Sequence, residues 1–178
     1  MNPNRLIASA AVALLLGCSG RDAEIGNGAG VAPSVKSEPP AAPALSSLQM
    51  ADPAGTAQLL SGFHGLEQNA WRWTERKFSV MLGLPEGSTP TQLHFRFAIS
   101  PVVIGRLKSQ TLTASAQGVV IGSESYDAAG EYLFSKPLPP AAAKTGSMRI
   151  DFELDRAVPA GELETREIGV IAISASVE

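Results

Sequence analysis

Three stretches of this chain alternate apolar and polar residues with period two, and nothing else in it limits the fold as strongly. Phe78, Val80 and Leu82 alternate with Lys77, Ser79 and Met81. Leu93, Phe95, Phe97 and Ile99 alternate with Gln92, His94, Arg96 and Ala98. Met148, Ile150, Phe152 and Leu154 alternate with Arg149, Asp151, Glu153 and Asp155. Successive side chains of an extended backbone point to opposite faces, so each stretch predicts a strand with one face buried and one wet. Residues 109–116, 119–126 and 131–134 predict further strands, with Gln117-Gly118 and Ala128-Ala129-Gly130 as turns between them. Trp71–Thr74 reads as one more strand. The run 168–177 is apolar on both parities for five residues, as a central strand is. No segment beyond residue 17 has a helical period, and Pro139–Lys144 allows one turn.

Seven to nine short strands, mostly half-buried, over residues 59–178 imply an all-β domain, an antiparallel β-sandwich. A closed barrel is the nearest rival. Irregular strand lengths favour the sandwich, as does the Pro-rich segment Pro137–Pro140, which suits a connection that changes sheets.

The N-terminus is of a different kind. Arg5 precedes an apolar stretch of 11 residues, Leu6–Leu16, which closes as Leu15-Leu16-Gly17-Cys18. Crossing a bilayer takes roughly 20 apolar residues, so this length fits the core of an export signal. The ending resembles the lipobox of bacterial lipoproteins. That resemblance implies cleavage before Cys18, acylation of Cys18 and attachment to a membrane through the N-terminal lipid. Ser19 stands where an Asp favours inner-membrane retention in enterobacterial lipoproteins, so the resemblance implies an outer-membrane location facing the periplasm. Cys18 is the only cysteine, which leaves no disulfide or thiol pair.

Residues 1–17 are therefore expected to be a signal peptide, 18–58 a lipid-anchored flexible linker and 59–178 the sandwich. The linker is poor in bulky apolar side chains and rich in Gly, Ala, Ser and Pro, too little to offset its ordering entropy. As a flexible coil its 40 residues from 19 to 58 reach roughly 35 Å r.m.s., which lets the domain stand off the membrane. Within it Leu45, Leu48 and Met50 are expected to be disordered, with a docking turn as the alternative. The Gly26–Gly30 run follows no strand and opens no helix, so it is not read as a phosphate cradle. The leader holds one basic and no acidic residue, so the remainder carries 13 Lys+Arg against 17 Asp+Glu, formally −4. With no basic run, nucleic acid is not an expected partner.

A second resemblance rests on Gly62-Phe63-His64, Trp71-Arg72-Trp73-Thr74, Leu82-Gly83-Leu84-Pro85, the strand Arg149–Leu154, the Val158-Pro159 turn and Thr165-Arg166-Glu167-Ile168-Gly169-Val170. Together these resemble a β-sandwich module of bacterial envelope proteins, often attached to glycosyltransferases and other polysaccharide-handling proteins and similar to jelly-roll carbohydrate-binding domains. The resemblance spans residues 59–178 and implies a jelly-roll-like fold. The chain departs from that module in carrying Glu164-Thr165-Arg166 where members often have Asp-x-Arg.

Trp71 and Trp73 are the only tryptophans, and two apart in a strand they face the same side. They can form a stacking platform for sugar rings, with Arg72, His64, Glu67 and Gln68 as polar neighbours, or they can fill the core. Arg166 is expected to pair with Glu164 or Asp155, or to pin the last strand to Trp71–Thr74. Asp151, Glu153 and Asp155 read as a solvated ladder relieved by Arg149, since they lack calcium-loop spacing. No metal or cofactor is expected. There is no G-x-S-x-G elbow and no H-E-x-x-H, and of the two histidines His94 lies on a polar parity, so an enzyme is not expected. The function these features imply is non-catalytic recognition of glycan or glycoconjugate in the cell envelope. The alternative is a scaffold or accessory lipoprotein docking to an envelope protein complex.

Overall fold

The alternating segments are strands in the computed structural model of the chain, which describes residues 43–84, 87, 90–140 and 146–178. The expected signal peptide, Cys18 and the expected linker as far as residue 42 lie outside these residues, as does most of the turn expected at Pro139–Lys144. The described strands are β1 (Ser47–Gln49), β2 (Leu59–Glu67), β3 (Trp71–Gly83), β4 (Gln92–Ile99), β5 (Gln110–Ala116), β6 (Val119–Tyr126), β7 (Gly130–Pro137), β8 (Ser147–Leu154) and β9 (Ile171–Val177). They pair in the order β6-β5-β8-β3-β9-β4-β7, with β1 also on β9 and β2 also on β3. Each of these pairings is antiparallel.

The sandwich arises because β3 serves two sheets. Lys77–Gly83 pair with β8, whereas Arg72 and Trp73 pair with β9. Between these halves the register with β2 slips: Ser61 faces Ser79, but Phe63 faces Thr74. The surplus residues on β3 form a bulge, the usual device by which a strand bends from one sheet into another. One layer is thus β6-β5-β8, the second half of β3, and the start of β2, whose Phe63–Glu67 follow the first half of β3. The other is the first half of β3 with β1, β9, β4 and β7. The segment after Pro137 does change sheets, since β7 lies on β4 and β8 on β3 and β5. The sheet nearly closes where β6 approaches β7, bridged by Lys136 Nζ on Glu124 Oε2 at 2.6 Å.

The inward parities meet in a single core. Phe95 of β4 lies 5.5 Å from Phe78, 5.3 Å from Phe97 and 4.6 Å from Phe152, centroid to centroid, and all four are buried. Phe78 and Phe152 come from the facing layer, so these rings join the two sheets.

Four local expectations are corrected. Residues 44–58 are not a linker: β1 pairs with β9, Leu48 and Met50 are buried, and Gly83 N donates to Leu45 O at 2.8 Å. The Gln58 amide also donates to Met81 O at 2.6 Å. A three-residue strand needs only one inward side chain, so low apolar content did not preclude docking here. Next, Pro53–Gln58 form a 3₁₀ turn and Pro101–Leu107 a short helix, α1, where no helical period was read. Ser100 caps α1 by accepting from Val102 N at 3.3 Å, with Pro101 at the first position. Seven residues are too few to establish periodicity. Trp71–Thr74 is the first part of β3 rather than a separate strand. Finally, β9 begins at Ile171, and Ile168 instead forms an isolated bridge with Val158.

Candidate functional site

The β2–β3 hairpin carries the residues singled out from the sequence. Gln68 and Asn69 turn the chain with φ of 50° and 54°, the left-handed geometry a tight hairpin requires. Trp71 then stands opposite Glu67, and Trp73 opposite Ile171 of β9. Both indoles are half-buried, which is neither the full burial of a core ring nor full exposure. Trp73 packs against the buried core. Ile171 pairs onward with Ala98, on the outward parity of β4, so this face of Trp73 looks to solvent.

Arg72 points to the other side of β3, opposite Leu66 and Ala172. Its Nε donates to Met50 O and its Nη1 to His64 O, both at 3.2 Å. His64 Nε2 bonds Glu167 O at 2.7 Å. Both side chains therefore tie main-chain segments together, and neither is aimed at a ligand alongside the indoles. The polar group beside the platform is an ion cluster instead. Arg166 Nη2 lies 2.9 Å from Glu67 Oε1 and 2.8 Å from Glu164 Oε2. Hydrogen bonds that Arg166 donates to Glu164, then to Glu67, push the guanidinium pKa upward. Of the expected partners of Arg166, Glu164 is met. Asp155 accepts instead from Thr111 N at 2.7 Å and Arg156 Nε at 3.0 Å. Through Glu67 the arginine pins the β8–β9 connection to the hairpin.

A second polar surface occupies the outward face of the other layer. Cross-strand register aligns Ser61, Ser79, Asp151, Ser115 and Val120 in one row across β2, β3, β8, β5 and β6. The next row is Lys77, Glu153, Thr113 and Ser123. Between them lies an open depression of about 380 Å³. In the sequence the acidic residues here read as a solvated ladder, and the hydroxyls beside them do not stand out. The available signal was the polar parity of β5, Thr111-x-Thr113-x-Ser115, on a strand whose other parity is Leu112, Ala114 and Ala116.

Outside these two surfaces, His94 Nε2 bonds Glu178 Oε1 at 2.6 Å. Among the described residues no three His, Cys, Asp or Glu side chains converge as a metal site.

No family model and no curated protein matches the chain. Among solved structures it is similar to the carbohydrate-binding module CBM36 in complex with calcium and xylotriose, at 9% identity and TM-score 0.42, over 75% of this chain and 100% of that one. It is also similar to the GH26-CBM35 β-(1,4)-mannanase of Podospora anserina, at 12% identity and TM-score 0.36, over 74% of this chain and 27% of that one. A third similarity is to dimeric latent PorU from Porphyromonas gingivalis, at 16% identity and TM-score 0.36, over 57% of this chain. The match spans a tenth of the length of PorU.

Proposed function

We propose that this protein is a non-catalytic lipoprotein of the bacterial envelope that recognises glycan or glycoconjugate through its β-sandwich. The observation that carries the reading is the placement of Trp71 and Trp73, half-buried on one side of β3 beside the Glu67–Arg166 pair. Flat indole faces suit the C–H faces of sugar rings, and an indole wedged against a sheet has already lost most of its rotamer freedom. Arg166 and Glu67 add donors and acceptors at one end. Cys18 supplies the lipid, and the segment after it holds the sandwich near the outer membrane on its periplasmic side. Confinement raises the effective concentration of a weak binder without any new contact.

Two substitutions test this separately. Trp71→Ala is expected to lower retention on cell-wall polysaccharide at least tenfold while costing about 1 kcal/mol of stability, because the ring is only half-buried. Trp73→Ala is expected to cost more, about 2–3 kcal/mol, because that ring packs against the core. Unchanged retention in Trp71→Ala sinks the platform, as does outright unfolding. Anchoring is tested by fatty-acid labelling of cells: Cys18→Ser should abolish the label, and label that persists refutes the lipid attachment.

A further inference from the structure

The depression on β2, β3, β8, β5 and β6 has no part in the platform at Trp71 and Trp73. It lies on the outward face of the opposite layer. Its sides are ionic, and the charges cancel in pairs. Lys77 Nζ sits 3.1 Å from Glu153 Oε1, and Arg149 Nε sits 2.7 Å from Asp151 Oδ1. Arg76 also reaches Glu153, at 3.4 Å, from beside the depression. Hydroxyls of Ser61, Ser79, Thr113 and Ser115 line it, with Phe78 and Phe152 among them. Ser61 Oγ and Ser79 Oγ are 2.8 Å apart, Thr113 Oγ1 bonds Ser123 Oγ at 2.9 Å, and Ser79 is only 1% exposed. Val120, 63% exposed, adds an apolar side chain at the β6 end.

We infer that this depression is a second ligand site, and that its ligand is a neutral polyhydroxylated molecule, a short uncharged glycan segment. The register decides the geometry. Polar side chains stand about 4.8 Å apart across the strands and about 7 Å apart along them, a grid that a ligand with many hydroxyls meets at several points at once. Pairing decides the charge class. An anion approaching Lys77 or Arg149 meets the repulsion of the carboxylate seated beside it, and a cation meets the converse at Asp151 and Glu153. A neutral hydroxyl donates to a free carboxylate lone pair and accepts from an ammonium or guanidinium hydrogen without separating either pair. The volume, about 380 Å³, falls at the lower end of the roughly 300–1,000 Å³ of small-ligand pockets, so the site takes a short segment. This inference stands without the Trp71–Trp73 reading, and together the two sites would make the domain bivalent through its two outer faces.

The test is a titration of the full-length chain, followed by amide chemical shifts, with maltotriose, cellotriose and xylotriose to about 10 mM, the millimolar range of weak binding. Trigalacturonate and the chitosan trimer serve as anionic and cationic counterparts. At least one neutral trisaccharide should move the amides of Thr113, Ser115 and Asp151, and the charged trimers should bind at least tenfold more weakly. Ser115→Leu, which fills the depression, and Asp151→Asn, which keeps its shape, should each weaken binding tenfold or more. Trp71→Ala should leave these shifts unchanged. The inference is overturned if no neutral trisaccharide moves these amides, if a charged trimer binds as well or better, or if Asp151→Asn binds undiminished with an unaltered melting temperature.

Discussion

Replacing Gly62 with alanine is expected to cost about 3 kcal/mol or more, because the new methyl group meets main chain rather than a side chain able to turn away. Gly62 holds φ at +73°, and a Cβ there would lie 2.0 Å from Lys77 O and 2.7 Å from Phe78 Cα. Relief requires β2 to move off β3, which also separates Phe63 from Phe78, now edge to face at 5.5 Å. The close approach occurs at the bulge where β3 leaves one sheet for the other, so the residue without a side chain belongs to the device that makes the fold two-layered. Gly65, in the same strand, has nothing within 4 Å of its would-be Cβ. Gly65→Ala is accordingly expected to fall within about 0.5 kcal/mol of the parent. Urea unfolding of the pair decides the matter: equal midpoints would show that β2 does not hold this approach in solution.

Truncating Phe95 to alanine is expected to destabilise the domain by about 3–5 kcal/mol, the range for removing a buried aromatic ring whose surroundings relax only in part. Phe95 is fully buried and stacks with Phe97 of its own strand at 13° between ring planes, while Phe78 and Phe152 press on it from the other layer. Removing it opens the space between the sheets rather than a pocket within one. Phe95→Leu keeps most of the volume and should cost about 1.5 kcal/mol or less. Against a total stability of about 5–15 kcal/mol, the alanine variant gives up a large share and the leucine variant a small one. A thermal or urea midpoint for Phe95→Ala close to that of Phe95→Leu would mean that the two layers are not joined through this ring.

Much of the first layer of structure was legible because period two is a property of the single strand. The inward and outward parities of β4, β5 and β8 follow from alternation alone, and Trp71 and Trp73 share a side for the same reason. The short elements were hidden for a related reason. β1 and α1 are too brief to show any period, and Leu48 is buried only because β9 is there to pair with its strand. Arg72 and His64 illustrate the limit at the candidate site. A charged and a titratable residue beside two tryptophans suggest ligand contacts, yet their partners are the carbonyls of Met50, His64 and Glu167. The last of these lies 103 residues away from His64 in the chain.

The order of side chains along each strand was thus settled by local sequence: which faces are apolar and where turns fall. Which strands become neighbours, and therefore which outward residues share a row, was settled only by tertiary structure. Ser61, Ser79, Asp151 and Ser115 come from four separate strands, and a slip of one residue in any register would scatter them. Register is a cooperative outcome of packing Phe78, Phe95 and Phe152 between two sheets, so it belongs to the assembled core and not to any one segment.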